Sequence, residues 1–301
     1  MELRHLRHFV AVAEELHFGR AAARLHIAQP PLSQSIRRLE DSVGVTLFDR
    51  SRRSVTLTAA GKIFLREAQR TLMQAALACK LAQREAAKLA EVRLAFIGPF
   101  LYRVLPDLVR LYRSEAPPIH LRLFERSSSD QVASLESGDF DVGFVQSSVA
   151  RPSGLDAFTV EKAPTVAVVP ASLPLADQDS VTLEDLADQP FIMPSARYLG
   201  QISDTLAVFA QKGLALNVTQ EALQTNTTIS LVGAGIGCSL VPATAALAHT
   251  RNVRFLPIAD ASLPPMEIVM LWKTDQISQE GRDFVMFVKK YIAHNPRLLE
   301  A

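Results

Sequence analysis

The run from Phe18 to Glu40 constrains this chain more than any other stretch. A small-residue helix, Phe18-Gly19-Arg20-Ala21-Ala22-Ala23-Arg24-Leu25, leads directly into His26-Ile27-Ala28-Gln29-Pro30-Pro31-Leu32-Ser33-Gln34-Ser35-Ile36-Arg37-Arg38-Leu39-Glu40. Two short amphipathic helices joined by about three residues make a helix-turn-helix, whose second helix fits the major groove of DNA. The alanines suit two helices that cross steeply and touch closely. Pro30 and Pro31 suit the first turn of the second helix, where backbone N–H groups have no intrahelical partner. Taken alone, the segment also fits an ordinary helical hairpin, but its surroundings tip the balance. Upstream, Leu3, Leu6, Phe9, Val10, Ala13 and Leu16 recur at helical spacing and predict a covering helix. Downstream, Gly44 to Leu57 reads as two short strands around a basic tip, which predicts a winged helix-turn-helix.

Charge placement supports nucleic acid as the partner of this part. Residues 1–57 hold nine basic residues, all arginine, against six acidic ones. Arginine forks onto phosphate and guanine better than lysine does. Arg20, Gln29, Pro30, Pro31, Ser33, Gln34 and Arg37 are the candidate contacts from the helices, and Arg52, Arg53 and Ser54 those from the wing.

Residues 1 to about 65 resemble the N-terminal domain of LysR-type transcriptional regulators. The resemblance rests on Leu3 to Phe9, Ala21-Ala22, Leu25, Gln29 to Ser33, Ile36, Leu39-Glu40, Gly44-Val45, Leu47-Phe48, Arg50, Leu57-Thr58 and Ala60-Gly61. It implies an α/β protein with an all-α winged N-terminus: a winged helix-turn-helix, a long linker helix, and a two-lobed effector domain resembling periplasmic binding proteins. The implied division is 1–57 for DNA binding, 58–89 for dimerisation and 90–301 for the effector, with lobe I at 90–161 and 266–301 and lobe II at 162–265. Three positions depart from the family pattern. Ala28 stands where a hydroxyl residue often caps the recognition helix, and His17 and Gly19 stand where small hydroxyl residues are frequent. Each missing cap is expected to cost about 1 kcal/mol.

From Lys62 to Glu91 the chain has neither Gly nor Pro. Leu65, Ala68, Leu72, Ala75, Cys79, Ala82, Ala86 and Leu89 follow the 3-4 spacing of a coiled-coil seam. A surface helix lying on the effector domain fits the same pattern, but a rod this long is not covered by one small lobe. A homodimer follows, and two winged heads read two half-sites. The resemblance extends this to a homotetramer that acts with RNA polymerase at promoter DNA.

Beyond Glu91, strand and helix signatures alternate. Val92 to Ile97, Ile119 to Leu123 and Asp141 to Val145 read as strands, with helices at Leu101 to Arg113 and Asp130 to Ser137 between them. This rhythm predicts a parallel sheet. A second lobe is expected from Thr165-Val166-Ala167-Val168-Val169-Pro170, with Phe191 to Met193, a helix at Asp204 to Lys212, another at Thr227 to Ala234, and Val253 to Pro257. Glu267 to Trp272 reads as a strand and Ser278 to His294 as a long helix; in the family these return to the first lobe.

Ligands of open α/β sheets bind beyond the carboxyl ends of strands, near helix N-termini. On that rule Gly98, Pro99, Phe100, Ser128, Ser129, Gln146, Pro194, Ser195, Arg197 and Asn226 form the candidate effector site. Serines at a helix start are equally good N-caps. The resemblance aligns Ser128, Gln146 and Ser195 with effector-contacting positions, and the effector half looks similar to the muconate-responsive subgroup that controls aromatic catabolism. Dicarboxylate-binding relatives carry Arg where this chain has Gln146, and Arg197 is the candidate substitute. The expected effector is a small organic acid or aromatic metabolite.

Other chemistries find little support. The seven histidines are scattered without an H-x-x-x-H spacing, so no metal site is expected. Gly233-Ala234-Gly235-Ile236-Gly237 precedes an apparent strand instead of following one, which argues against a nucleotide loop. No nucleophile elbow is visible, so neither catalysis nor a cofactor is expected. Cys79 and Cys238 read as structural thiols. Met1-Glu2-Leu3-Arg4 lacks the apolar run of a signal peptide. The uncharged stretch Ala222 to Ala248 is too polar and broken to span a membrane. A cytoplasmic location is expected. The competing reading is an α/β binding protein or enzyme with an accessory helical N-terminus; the wing arginines and the seam favour the regulator.

Overall fold

The computed structural model describes residues 1–49, 55–87, 91–115, 119–194, 206–248, 250–259 and 263–300. The chain separates into two compact units, Met1–Lys88 and Leu89–Ala301.

In the first unit, α1 (Leu3–Glu15), α2 (Phe18–Arg24) and α3 (Gln29–Val43) precede β1 (Phe48–Asp49), β2 (Thr56–Leu57) and α4 (Ala59–Ala87). Leu6, Phe9 and Val12 of α1 are buried against Leu32, Ile36 and Leu39 of α3. Ala21 and Ala22 are buried where α2 meets its neighbours, as the small-residue run predicts. Gly44 ends α3 with φ at +79°, a conformation that an L side chain resists. β1 and β2 pair antiparallel, Phe48 opposite Leu57. The wing tip, with Arg52, Arg53 and Ser54, lies outside the described residues.

The seam helix is used differently at its two ends. Ala68 is buried in the core of the first unit, and Ala60, Phe64, Leu65 and Leu72 pack against the same core. Phe64 meets Phe9 edge-on at 5.0 Å. So Ala68 belongs to the core of its own unit, and Leu65 and Leu72 pack half-buried against that core, where the spacing alone suggested only a seam. Ala75 is half-buried, while Cys79 and Ala82 are exposed. The side chains of Ala86 and Leu89 lie outside the described residues.

Among the described residues, the second unit is built on two main sheets, with a further parallel pair joined to one of them. The first has the order β4-β3-β5-β12-β6, from β3 (Glu91–Phe96), β4 (His120–Glu125), β5 (Val142–Gln146), β6 (Asp156–Ala163) and β12 (Met266–Trp272). β3 runs parallel to β4 and β5, and β12 runs antiparallel to β5 and β6. Helices α5 (Val104–Glu115), α6 (Ser128–Glu136) and α10 (Gln279–His294) accompany this sheet. Phe100 and Phe144 stack at 4.3 Å, and Tyr112 meets Phe284 edge-on at 5.0 Å, within one core.

The other sheet orders β10-β7-β11, all antiparallel, from β7 (Thr165–Pro170), β10 (Ser239–Pro242) and β11 (Val253–Leu256). A parallel pair, β8 (Pro190–Pro194) and β9 (Asn217–Ala222), joins it through bonds of 2.8 Å between Ile192 N and Cys238 O and between Cys238 N and Pro190 O. Helices α7 (Leu183–Ala187), α8 (206–211 of the described residues) and α9 (Thr225–Gly233) flank it. A β-carbon at Gly237 would sit 2.4 Å from Pro190 O, and Gly235 has φ at +79°. The glycine-rich run therefore serves this strand junction. Ala243–Leu247 forms a 3-10 turn. β6 and β9 are strands that the sequence did not announce.

Burial pushes the Cys238 thiol up to about 11, so it stays protonated, as a structural cysteine does. Among the described residues, no helix is long and apolar enough to cross a membrane.

Candidate functional site

One candidate surface is the outer face of α3. Leu32, Ser35, Ile36 and Leu39 turn inward. That leaves Gln29, Pro30, Pro31, Gln34, Arg37 and Arg38 exposed, with Ser33 half-buried. The exposed polar groups are two amides and two guanidinium groups, which suit base edges and phosphates. Ser35 is held by His8 Nδ1 at 2.8 Å, tying α3 to α1. Burial, with Arg4 and His5 nearby, lowers the His8 pKa, so this ring is neutral near pH 7. Arg20 is exposed but pairs with Glu15 at 3.3 Å, and Arg24 pairs with Glu14 at 2.7 Å. The arginines of α2 thus brace α1 as well as facing outward.

The departures from the family's caps turn out not to cost stability as expected. His17 Nδ1 accepts from Gly19 N at 3.1 Å and from Arg20 N at 3.2 Å, so the imidazole caps α2 itself. A β-carbon at position 19 would lie 3.0 Å from the His17 ring, so Gly19 makes room for that cap. Ala28 caps α3 without a side-chain bond, but the second and third helical positions are Pro30 and Pro31. Proline has no N–H to be capped, so a hydroxyl at 28 would find nothing to satisfy there.

The helix is joined to the wing by Glu40, whose carboxylate accepts from Leu47 N at 2.9 Å and Phe48 N at 3.1 Å. Thr58 donates to Thr46 O at 2.9 Å and accepts from Gly61 N at 2.9 Å, which fixes the start of α4.

The other candidate site is a cavity between the two sheets of the second unit. Ile97, Gly98, Pro99, Glu125 and Gln146 line it from the first sheet's side. Phe191, Met193, Ala222 to Asn226, Thr228 and Leu240 to Pro242 line it from the other, with Thr165 and Met266 at the chain crossings. Four of the expected residues, Gly98, Pro99, Gln146 and Asn226, are on its wall. Phe100 is not, being fully buried against Phe144. Ser128 is buried with its hydroxyl accepting from Gln146 N at 3.1 Å, a link between α6 and β5 behind the wall. Ser127, not Ser128, caps α6, accepting from Asp130 N at 3.2 Å. Ser129 and Pro194 are also not among the lining residues. Ser195 and Arg197 lie outside the described residues.

Sequence reasoning missed Glu125, Met193, Leu223, Thr165 and Met266. The carboxyl-end rule pointed at the loop after β4, and Glu125 is that strand's last residue. Tyr102 donates to Asn226 Oδ1, a bond between the first sheet's side and α9. Burial pushes the Tyr102 hydroxyl up to about 12, with the Glu125 charge adding to it, so it remains a donor at neutral pH.

A reading head with a winged helix-turn-helix and a two-lobed α/β ligand unit define the class: a transcription regulator. Residues 3–62 match the model for bacterial regulatory helix-turn-helix proteins of the lysR family, and residues 87–293 match the LysR substrate binding domain. The chain belongs to the LysR family of DNA-binding transcriptional regulators. It is 42% identical over 257 residues to the HTH-type transcriptional regulator AlsR of Bacillus subtilis (strain 168), covering 85% of each chain. It is 35% identical over 294 residues to the Hca operon transcriptional activator HcaR of Escherichia coli (strain K12), covering 97% of this chain and 99% of HcaR. Full-length CbnR complexed with its target DNA superposes with a TM-score of 0.63 at 26% identity, covering 96% of this chain and 99% of that one. These relatives are regulators, and the enzyme alternative is not favoured.

Proposed function

We propose that this regulator is switched by a small organic acid, aromatic or carboxylic, held in the cavity between the lobes. The observation that carries the reading is the cavity itself, walled from both sheets and bridged by Tyr102 and Asn226. A ligand touching both walls favours one interlobe arrangement over another, which is what a switch requires. Among the relatives, BenM of Acinetobacter baylyi is 33% identical over 263 residues, and its effector domain has been solved with its effector benzoate. That relationship supports an effector of the aromatic-catabolism kind, as does the likeness to muconate-responsive regulators.

In this reading, residues 1–57 bind promoter DNA, 58–89 dimerise and 90–301 sense the effector. Lobe I comprises 90–161 and 266–301, and lobe II comprises 162–265. Gln34 and Arg37 read and clamp the operator, with Arg52, Arg53 and Ser54 adding wing contacts. The dimer, or a tetramer built from it, works in the cytoplasm and meets RNA polymerase at the promoter.

Footprinting on DNA flanking the gene for this chain, with and without candidate aromatic acids, tests the reading. A ligand-dependent footprint is expected, lost when Met193→Trp fills the cavity. An unchanged ligand response in Met193→Trp places the effector elsewhere and overturns the proposal. In the same assay Gln34→Ala should relax base preference at a cost of ~1–3 kcal/mol for the correct site. Arg37→Ala should lower the salt slope by about one.

A further inference from the structure

Among the described residues, the lining of the proposed cavity carries an acid and no base. Glu125 is the one ionisable side chain among the described residues that line it. Gln146, on the wall at 6% exposure, contributes a neutral amide. The adjoining groove holds Glu125, Arg126 and Asp130. There Arg126 Nη1 donates to the backbone carbonyl of Glu125 at 2.8 Å, while no described cation pairs with the Glu125 carboxylate. That carboxylate stands beside Gly98, where a β-carbon would lie 3.2 Å from its Oε1.

Gln224, which lines the same groove as Glu125, is the cap residue of α9 and makes no side-chain bond to that helix, which begins at Thr225. Gln224, Thr225 and Asn226 all line the cavity. The first N–H groups of a helix lack intrahelical partners and favour an anion. The same cavity wall offers an apolar face formed by Ile97, Phe191, Met193 and Leu240.

We infer that the effector is zwitterionic: an amino acid with an apolar body, whose ammonium pairs with Glu125 and whose carboxylate meets the start of α9. This deepens the proposed function and rests on it. A dianion would set one carboxylate against the unpaired Glu125, and repulsion in a partly enclosed site disfavours that arrangement. A simple monoacid would fill the apolar wall and meet the helix end but offer the Glu125 carboxylate no counter-charge. The ranking is therefore amino acid first, matched monoacid next and dicarboxylate last.

The test is calorimetric titration of the full chain with L-phenylalanine, 3-phenylpropanoate and benzylsuccinate, which share one ring. L-Phenylalanine should bind at least tenfold more tightly than 3-phenylpropanoate, and benzylsuccinate most weakly. In Glu125→Gln the preference for the amine should fall to threefold or less, with 3-phenylpropanoate binding as well as before or better. Far-UV dichroism checks that the variant is folded. The inference is overturned if 3-phenylpropanoate or benzylsuccinate binds the native protein as tightly as L-phenylalanine. It is equally overturned if none of the three binds, or if Glu125→Gln keeps the full ratio. Failure of the underlying reading looks different: binding of any of these probes would persist undiminished in Met193→Trp.

Discussion

Gly61→Ala should disable the DNA-binding unit by a route that helix propensity would not suggest. Gly61 lies in the first turn of α4, where alanine on its own would gain about 1 kcal/mol over glycine. A β-carbon there would sit 2.1 Å from the Leu47 carbonyl oxygen. Leu47 cannot move aside cheaply. Its oxygen accepts from Thr58 N at 3.0 Å, and its own N–H is held by Glu40 at 2.9 Å. Relieving the clash costs about 1–3 kcal/mol as overpacking, and loosening those two bonds adds about 1 kcal/mol each. After the propensity gain, the net loss is about 2–4 kcal/mol. For a unit of this size, each kcal/mol lowers the melting temperature by about 4–8 °C, so a drop of about 8 °C or more is expected. The single tryptophan, Trp272, belongs to the second unit and reports on it separately. Calorimetry should therefore show one transition moved while Trp272 fluorescence melts unchanged, and operator affinity should fall with the first. A Gly61→Ala protein with both transitions and operator affinity intact would refute the close-approach argument.

Three further perturbations are expected to read out in the same protein. Glu161 is 1% exposed, with Oε1 accepting from Arg103 Nε at 2.8 Å and Oε2 without a partner. Burial pushes its carboxyl up to about 7 despite Arg103. Its stabilisation is therefore full below about pH 4.5 and lost as pH rises through about 7. Urea unfolding followed by Trp272 should show that decline, flattened in Glu161→Gln; identical pH profiles would contradict it. Tyr102→Phe removes the bond to Asn226 and should weaken effector binding by roughly three- to tenfold, from ~0.5–1.5 kcal/mol per hydrogen bond, with titration showing whether affinity instead stays the same. Cys79→Glu, at an exposed seam position, should halve the sedimenting mass of the proposed dimer while Cys79→Ser leaves it alone; an unchanged mass in Cys79→Glu would move the interface elsewhere.

What the sequence made legible follows from where each signal originates. α1, α3 and α10 were readable because each buries one stripe, and a stripe at helical spacing survives in a single sequence. β3, β5 and β7 were readable because their residues are nearly all buried. β6 and β9 were not; β6 pairs with β12 alone and β9 with β8 alone. Asn217 to Glu221 is exposed along its length, so no alternation marks it as a strand. The seam in α4 was visible as a pattern, but spacing cannot say whether the covering surface is a partner or α1. The cap at His17 was hidden because it depends on Gly19 leaving space, a relation between two residues. In the cavity, Gly98, Pro99, Gln146 and Asn226 followed from the rule for strand ends. Met193 and Leu223 did not, because they are defined by how two sheets face each other.

The shared use of α4 has a mechanical consequence. Its 29 residues make a rod of about 43 Å. Its root is built into the reading head through Phe64, Ala68 and Leu72, so the head has no independent swivel on it. Such a rod converts angle into travel. Tilting it by about 10° sweeps its end through about 7 Å, about two steps of a DNA strand at ~3.4 Å each. In the proposed dimer, a change of a few degrees in how two such rods splay would therefore be geared up into a change of register between the reading heads at their roots. The stiffness of one helix root, more than any movement inside the head, sets that gearing.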